Sequence, residues 1–551
     1  METWSHHLDL PALAGKFPTP CYVLNLEQLE RNFRAYVDWL GAPSRVLYPV
    51  KANPAVAVLR RLARLGAGAD CAAKSEVELA LHAGIPLERI VYNTPAPELR
   101  YVITLLLHGA TVVIDSEEML RAIDTRLDPK RVRGSLYLRV NPEVSPAYAD
   151  REVWQDLTAH AGQASKFGVP AEDVVRVLSG TRHAITGLHL HVGTQMDNLA
   201  TFGRALEALH ALVDMAEQKT HQHLRHIDIG GGLGIPFTAD KTFPTISELG
   251  AYLKPKLRAH LVYAAEPGHS LIGDAVGLLT RVVTLKQVRH RRWAITDVGT
   301  DQLAKVTLLR WPHQILDTMG RALPMQGPDA VGGPLCFAGD TLLAATDLTD
   351  VRVGDPLFVQ HCGAYCYALR NPFNGRASPA HVVVRDSGEA TLACEPEDTF
   401  ASTNLLGADW TSEGAETELS LARIDKLSST YLRTQARHDV YRFVRAERHG
   451  AGSYLFDIDT EAAVDFVSMP FAIRIAGDAV IVAVCERLGK ATKDIDILGT
   501  RLWLSAEVPL AANRRLRCHV DLSAATTFCR YLAKFDLDGK FKGAFQVTLK
   551  E

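Results

Sequence analysis

"VLYPVKANPAVAVLRRLARLGAGADCAAKSEVELAL" spans residues 46–81 and carries one alternation twice. A short apolar run ends at Lys51, and an amphipathic stretch follows with its apolar residues three and four apart. A second short run, "GAGADCA", then leads into "SEVELALHAG". Strand, helix, strand, helix is the rhythm of α/β folds, whose chemistry gathers where strand ends face helix starts. Lys51 stands at such a point. A lysine there is either a solvated surface charge or an amine placed to form a Schiff base, and the surrounding chain has to decide.

Outward from this stretch the alternation continues from about residue 43 to 265. "SRVLYPV", "GAGADCA", "RIVYNT", "ATVVIDS", "GSLYLRVN", "AITGLHLHVG", "HIDIGGG" and "LVYAAEPG" read as strands. Between them lie helical patterns such as "PAVAVLRRLARLG", "SEEMLRAIDTRL", "TFGRALEALHALVDMAEQK" and "TISELGAYLKPKLRAH". Eight alternations predict a (β/α)8 barrel, with an open doubly wound sheet as the alternative. Polar residues and glycines gather at the strands' C-terminal ends, where barrel sites are built.

The bulk numbers set the frame. A chain of 551 residues is too long for one core, and its 47% apolar and 22% charged residues are those of a globular protein. A net charge of -3 offers nothing to a nucleic-acid backbone. The start "METWSHHLDLPALAGKFPTPCYVL" has no basic stretch followed by an apolar core, and no apolar run is long enough to span a bilayer. The nine cysteines are scattered, and "CGAYC" (362–366) has neither the spacing nor the partner cluster of a zinc site. An odd cysteine count without a secretion signal predicts reduced thiols in a cytoplasmic protein.

After residue 269 the rhythm changes. Residues 270–400 are strand-rich, with turn signals such as "VGGP", "RVGD" and "RDSGE", and read as a β-barrel domain that residues 1–30 join through "TPCYVLNLEQLERNF". The α/β barrel then spans 31–269. "ASTNLLGADWTSEGAETE" (401–418) is small, polar and acidic, and reads as a linker. A third unit fills 419–551. Within it "VYRFVRAERHGAGSYLFDID" reads as a hairpin. "SMPFAIRIAGDAVIVAVCERLG" (468–489) reads as a buried helix capped by Ser468, with Pro470 in its first turn. "DILGTRLWLSAEVPL", "RRLRCHVDLSA", "FCRYLAKFDLD" and "KGAFQVTLK" are strands able to wrap it.

The chemistry-bearing stretches lie in the first two units. "HLHVGTQ" (189–195) places His189 and His191 on one side of a strand, a pair that could ligate a metal but has no carboxylate or cysteine close by in sequence. "DIGGGLGI" (228–235) ends a strand in glycines that leave backbone N–H groups free to approach a phosphate. "AEPGH" (265–269) ends another strand with Glu266. A ligand using all of these needs an aldehyde for Lys51, a phosphate for the glycines and an aromatic ring with a basic nitrogen for Glu266. Pyridoxal 5'-phosphate has each part.

Residues 17–390 resemble the fold-type III decarboxylases that include the ornithine and diaminopimelate enzymes. The resemblance rests, in chain order, on "TPCYVLNLEQLERN", "YPVKANP", "GADCAAKSE", "SKFGV", "GLHLHVGTQ", "DIGGGLGI", "AEPGH", "DVGTDQL", "GGPLCFAGD" and "CGAYCYALRNPFNGRASP". "DCAAKSE" looks more like the ornithine branch. By this resemblance Lys51 would form the Schiff base with the cofactor, Asp70 and Glu76 would line the same mouth, and His191 would lie against the cofactor ring. Thr194, Gly231, Gly232 and Tyr365 would hold the phosphate, and Glu266 would pair with the pyridine nitrogen. Cys336 and Asp340 would enter from a second subunit, with Cys336 protonating the carbanion left by CO2. A homodimer with shared active sites follows.

Three departures bear on the substrate. His269 stands where the family has arginine. Lys305-Val306 stands where the diaminopimelate branch has Arg-Pro. Phe337 replaces the acid that binds the substrate's distal amino group, and a phenyl ring cannot pair with an ammonium. A substrate with a free charged far end is therefore disfavoured, with Asp297 left as the acid able to accept one. The third unit resembles hot-dog domains of the A-factor-synthesis type, which implies a thioester site along the buried helix with Asp465, Asp478 and Glu486 as the acids near it. The expectation is a bifunctional enzyme of natural-product biosynthesis that decarboxylates an amino acid or an aminoacyl group on a carrier protein. A racemase or epimerase on the same barrel and a silent regulatory relative are the alternatives. Cys336 favours decarboxylation over the first, and the retained Lys51 and Glu266 count against the second.

Overall fold

The computed structural model describes residues 3–146, 158–162 and 165–396. In the C-terminal part it describes 416–418, 440–449, 453–461, 466–467, 475–477, 479–483, 496–506, 510–511, 515–524, 530–537 and 541–550. The chain divides into two compact units, Met1–Asp398 and Thr399–Glu551.

The first strand, β1 (Cys21–Asn25), lies outside the α/β barrel. The barrel strands follow: β2 (Leu47–Pro49), β3 (Gly68–Cys71), β4 (Ile90–Asn93), β5 (Thr111–Ile114) and β6 (Ser135–Asn141), the last also pairing the short β7 (Val169–Pro170). β8 (Gly187–His189), β9 (His226–Asp228) and β10 (Val262–Ala264) complete the set. All pair in parallel in the order β10-β9-β8-β6-β5-β4-β3-β2. The two ends meet through a parallel bridge between Val46 and Ala265. There the Leu47 N–H donates to the Ala265 carbonyl at 2.9 Å, and the Ala265 N–H donates to the Arg45 carbonyl at 3.0 Å. All eight strand stretches expected from the sequence are strands of this barrel.

Helices cover the strands for the reason their sequences advertise. In the helix Val56–Leu65, Val58, Leu59 and Leu62 are fully buried while Arg60 and Arg64 face water. Each such side chain contributes about 1.5–3 kcal/mol of burial. The helix stops at Gly66, whose φ of +89 is left-handed and free of strain only for glycine.

The chain then builds a second sheet from β11 (Val276–Val288), β12 (Arg291–Thr296), β13 (Ile315–Leu316), β14 (Asp329–Gly332), β15 (Thr341–Thr346), β16 (Pro356–Val359), β17 (Ala380–Val384) and β18 (Ala390–Cys394). Its order is β15-β14-β12-β11-β1-β17-β18, with β16 pairing both β11 and β13. β1 runs antiparallel to β11 and parallel to β17, so the N-terminal strand is an interior member of this sheet.

In the second unit, β19 (Glu416–Glu418), β20 (Val440–His449), β21 (Ser453–Glu461), β22 (Phe466–Val467), β23 (Asp496–Ala506), β24 (Leu510–Ala511), β25 (Arg515–Ala524), β26 (Arg530–Leu537) and β27 (Phe541–Lys550) are described. Seven of them form an antiparallel sheet in the order β19-β20-β21-β25-β26-β27-β23. The hairpin expected over 440–459 is β20-β21. Residues 475–477 and 479–483 are helical, with Ile475, Ala476, Ala479, Val480, Val482 and Ala483 buried, as the all-round apolar pattern requires. Ser468, Pro470, Asp465, Asp478 and Glu486 lie outside the described residues. The linker expected over 401–418 needs one correction: its last three residues are β19, which pairs the end of β20. A short charged segment is well suited to a sheet edge. Among the described residues no helix is long and apolar enough to cross a membrane.

Candidate active site

β2 ends at Pro49, and one 3-10 turn, Val50–Ala52, carries the chain over the barrel mouth. Val50 and Ala52 are buried on either side of Lys51. The turn is held from below, because Tyr48 Oη donates to the Asn53 carbonyl at 3.0 Å and Asn53 Nδ2 donates to the Gly363 carbonyl at 2.9 Å. Lys51 therefore points inward, with 40% of its side-chain surface open. A cavity of about 370 Å3 lies over the strand ends, and Lys51, His191, Thr194, Glu266 and Tyr365 all line it.

Lys51 Nζ donates to Asp70 Oδ2, on the neighbouring β3. Burial works against the lysine's charge, but Asp70, Glu266 and Tyr365 outweigh it and raise its pKa. Asp70 is pushed up to about 7 by burial and by the charge of Glu266, against the pull of Lys51. Its Oδ1 has no hydrogen-bond partner. Glu76 does not line the cavity; its Oε2 accepts the Ala72 N–H at 2.6 Å and ties the end of β3 to the following helix.

Glu266 follows β10 and is 6% exposed. Burial alone would raise its pKa, yet His189, Lys51 and Arg139 together hold it down to about 2. His189 Nε2 stands 3.3 Å from Glu266 Oε1 and 3.2 Å from Asn93 Nδ2. Asp228 is fully buried, and burial and the Glu266 charge raise its pKa far above the ordinary range. One proton on Asp228 makes the two acids a donor and an acceptor instead of two repelling charges. The sequence set no carboxylate near His189; the fold brings two, with the ligand-capable atoms of His189, Asp228 and Glu266 within 4.8 Å of one another.

His191 Nδ1 accepts the Gly231 N–H at 3.1 Å, which leaves the ring proton on Nε2. Burial, then His160 and Arg139, holds its pKa well below 6.5, and its ring centroid lies 4.8 Å from that of His160. The glycines matter because of close approach. A Cβ on Gly231 would strike the Glu266 carbonyl oxygen, and one on Gly232, at φ +116, would strike the Gly193 carbonyl oxygen. Thr194 Oγ1 pairs with His269 Nδ1 at 3.1 Å. Tyr365 adopts a φ of +56, uncommon for a bulky residue, and its N–H is pinned to the Ala52 carbonyl at 2.8 Å.

The remaining candidates lie outside this cavity. Cys336 and Phe337 are exposed on the loop between β14 and β15, where the Cys336 N–H donates to Asn374 Oδ1 at 2.8 Å. Asp340 Oδ1 accepts from the Thr300 N–H at 2.7 Å and Thr300 Oγ1 at 3.0 Å, while Oδ2 accepts the Leu335 N–H at 2.8 Å. Asp297 Oδ1 accepts from Thr280 Oγ1 at 2.5 Å and from the Arg281 N–H at 3.0 Å. Sequence reasoning missed Arg139, His160, Lys305 and Trp311 as cavity walls. Arg139 left a trace as a lone cation inside the apolar strand "LYLRVN", and Lys305 as a departure from the family's Arg-Pro.

Residues 26–273 match the family model described as the pyridoxal binding domain of pyridoxal-dependent decarboxylases. The chain is 31% identical to the diaminopimelate decarboxylase of Zymomonas mobilis over 70% of this chain and 92% of that one. It is likewise 31% identical to the diaminopimelate decarboxylase of Pseudomonas aeruginosa, over 74% of this chain and 97% of that one. Its structure matches the crystal structure of diaminopimelate decarboxylase from M. jannaschii with a TM-score of 0.63 and 26% identity, covering 72% of this chain and 94% of that one. The lean toward the ornithine branch in "DCAAKSE" is thus outweighed by the chain as a whole. Pyridoxal 5'-phosphate fits the residues present: the cavity holds an amine at Lys51 and a buried anion at Glu266 paired with His189, and the turn at Gly231 and Gly232 packs too closely on Glu266 and Gly193 to admit a side chain. On fold, site and kinship alike, the chain belongs to the pyridoxal-dependent amino-acid decarboxylases and is a carboxy-lyase of the diaminopimelate decarboxylase type.

Proposed function

We propose that the chain decarboxylates an amino acid or aminoacyl group whose far end is neutral, capped or tethered to a carrier protein, in a homodimer that shares its active sites. The observation that carries this is the occupation of the acids. Both oxygens of Asp340 and Oδ1 of Asp297 are engaged by the protein's own loops, and Phe337 stands beside Cys336. The relatives' names specify diaminopimelate, whose far end carries a second charged amino-acid group, and these residues leave its ammonium without an acid.

The cofactor, when bound, would supply an electron sink for the electron pair released as CO2 leaves. Lys51 Nζ, which donates to Asp70 Oδ2 at the barrel mouth, would be the amine that holds the cofactor through its aldehyde, with Asp70 orienting it. Glu266, oriented by His189 and Asp228, keeps a proton on the ring nitrogen. His191, neutral and fixed by Gly231, would lie against the ring and exclude water. Cys336 Sγ of a second copy donates the proton that completes the amine. Its exposure outside this chain's own cavity supports the shared site.

The antiparallel sheet and buried helical residues of the second unit support a hot-dog-like domain that binds the thioester of a carrier protein in a natural-product pathway. Racemisation is the weaker reading, since a racemase needs a base where Cys336 offers a thiol.

The test is CO2 release from a substrate panel. Neutral-ended or carrier-linked amino acids should be turned over best. Lysine and ornithine should lag at least about tenfold, the cost of leaving an ammonium unpaired against an apolar wall. Phe337→Asp should raise activity on those diamines. Efficient turnover of free lysine, ornithine or diaminopimelate by the native protein refutes the proposal.

Cys336→Ala should slow turnover by about 10²–10⁴-fold, the worth of one positioned proton donor, while cofactor titration curves stay unchanged. Mixed dimers of Cys336→Ala and Lys51→Ala subunits should recover part of the activity. No recovery in verified heterodimers would rule out shared sites.

A further inference from the structure

Lys305, in the helix Ala304–Leu308, is 0% exposed yet lines the cofactor cavity. Its Nζ donates to the Ala364 carbonyl at 2.7 Å and lies 4.5 Å from the centre of the Phe237 ring. The other cations of the cavity have carboxylate partners: Lys51 has Asp70, and Arg139 has Asp115 at 3.9 Å. Among the described residues Lys305 has no carboxylate within ion-pairing distance. Its nearest acidic group is the Cys366 thiol, which burial pushes up but Cys362 and Lys305 bring down to about 7. Burying an ammonium without a carboxylate costs several kcal/mol, which a thiol titrating near 7 offsets only in part, so such a lysine is matched to an anion that enters.

The neighbours say where that anion sits. Ala364 precedes Tyr365, whose ring lies 4.9 Å from that of His269, and His269 in turn meets Thr194. Phe237 touches His269 at 5.9 Å between ring centres. His269 brings no charge, because burial, then Lys305 and His313, holds its pKa well below 6.5. The wall of Thr194, His269 and Tyr365 therefore has hydrogen-bonding groups, and its one cation without a carboxylate, among the described residues, is Lys305.

We propose that Lys305 is the cation that holds the cofactor's phosphate in this chain, beside a neutral His269 that only orients Thr194. This rests on the pyridoxal phosphate reading of the cavity. The test compares two probes on apo-protein, pyridoxal 5'-phosphate and pyridoxal, by visible absorbance titration of native, Lys305→Gln and Lys305→Arg forms. Gln keeps a donor for Ala364.

Lys305→Gln should bind pyridoxal phosphate about ten- to hundredfold more weakly and bind pyridoxal as the native protein does, while Lys305→Arg retains most of the affinity. Apo Lys305→Gln should melt no lower than native apo-protein, because it keeps a donor for Ala364 and loses a buried charge that no carboxylate among the described residues offsets. Equal weakening for both probes, or a lower apo melting temperature, makes Lys305 a structural strut and overturns the proposal. Unchanged cofactor affinity with a raised KM would move its anion to the substrate and overturn it too. A native protein that binds neither probe would sink the cavity assignment itself, a failure separate from these.

Discussion

Lys51→Ala is expected to lower decarboxylation by roughly 10⁴-fold or more, the scale on which enzymes respond to losing a group that acts covalently. The side chain is the amine at the barrel mouth, and the other lysine that lines the cavity among the described residues, Lys305, is buried and tied to Ala364. Borohydride treatment of the native protein should fix the cofactor covalently on the peptide that contains Lys51, and mass spectrometry should locate it there. A modified peptide elsewhere, or substantial activity in Lys51→Ala, would refute the assignment. Removing the ammonium also takes away the charge and hydrogen bond that pull Asp70 down, so its carboxyl should titrate higher than its native value of about 7. The variant's apo form should then lose stability as pH rises from about 3.9, the ordinary aspartate value, toward that raised one, because the buried carboxyl beside Glu266 must stay protonated.

Glu266→Gln should cost about 10²–10³-fold in kcat at saturating cofactor, the range for removing one preorganised electrostatic partner of a developing charge. The amide has the shape of the carboxylate but cannot hold a proton on the cofactor's ring nitrogen. Because Glu266 is held at about 2, it stays ionised across the working range and should contribute no limb to the pH–rate profile. The stability linked to its depressed pKa is fully present above about 4.3, the ordinary glutamate value, and is lost as pH falls toward 2. An acid limb in the native profile that disappears in Glu266→Gln would contradict this. Asp228→Asn should be milder, since an amide can still donate to Glu266.

The barrel was legible because a parallel strand buried on both faces reads as a compact apolar run, as in "RIVYNT", "ATVVIDS" and "LVYAAEPG", and because helical patterns separate all eight stretches. Lys51 and Glu266 were legible for a related reason: each is the first charged residue after such a run. The partners that set their ionisation were not. His189 and Asp228 stand on β8 and β9 and Glu266 just beyond β10, and no spacing along the chain announces that these strands are neighbours. Lys305 reads as an ordinary helix cation until the cavity shows it dry. Residues 416–418 read as linker because their polarity is that of a loop, and an edge strand tolerates the same polarity.

The closure between Val46 and Ala265 lies one short step from both Lys51 and Glu266. The amine and the anion that the chemistry needs are thus carried by the first and last strands of the barrel, at the single place where the sheet must be stitched to itself. Such long-range pairing is among the slowest steps a chain can take. A barrel left open at this seam carries the lysine and the glutamate on separate edges and lacks the working pair. Reactive amine chemistry is withheld until the ring is whole, and the enzyme's activity doubles as a certificate that its folding is finished.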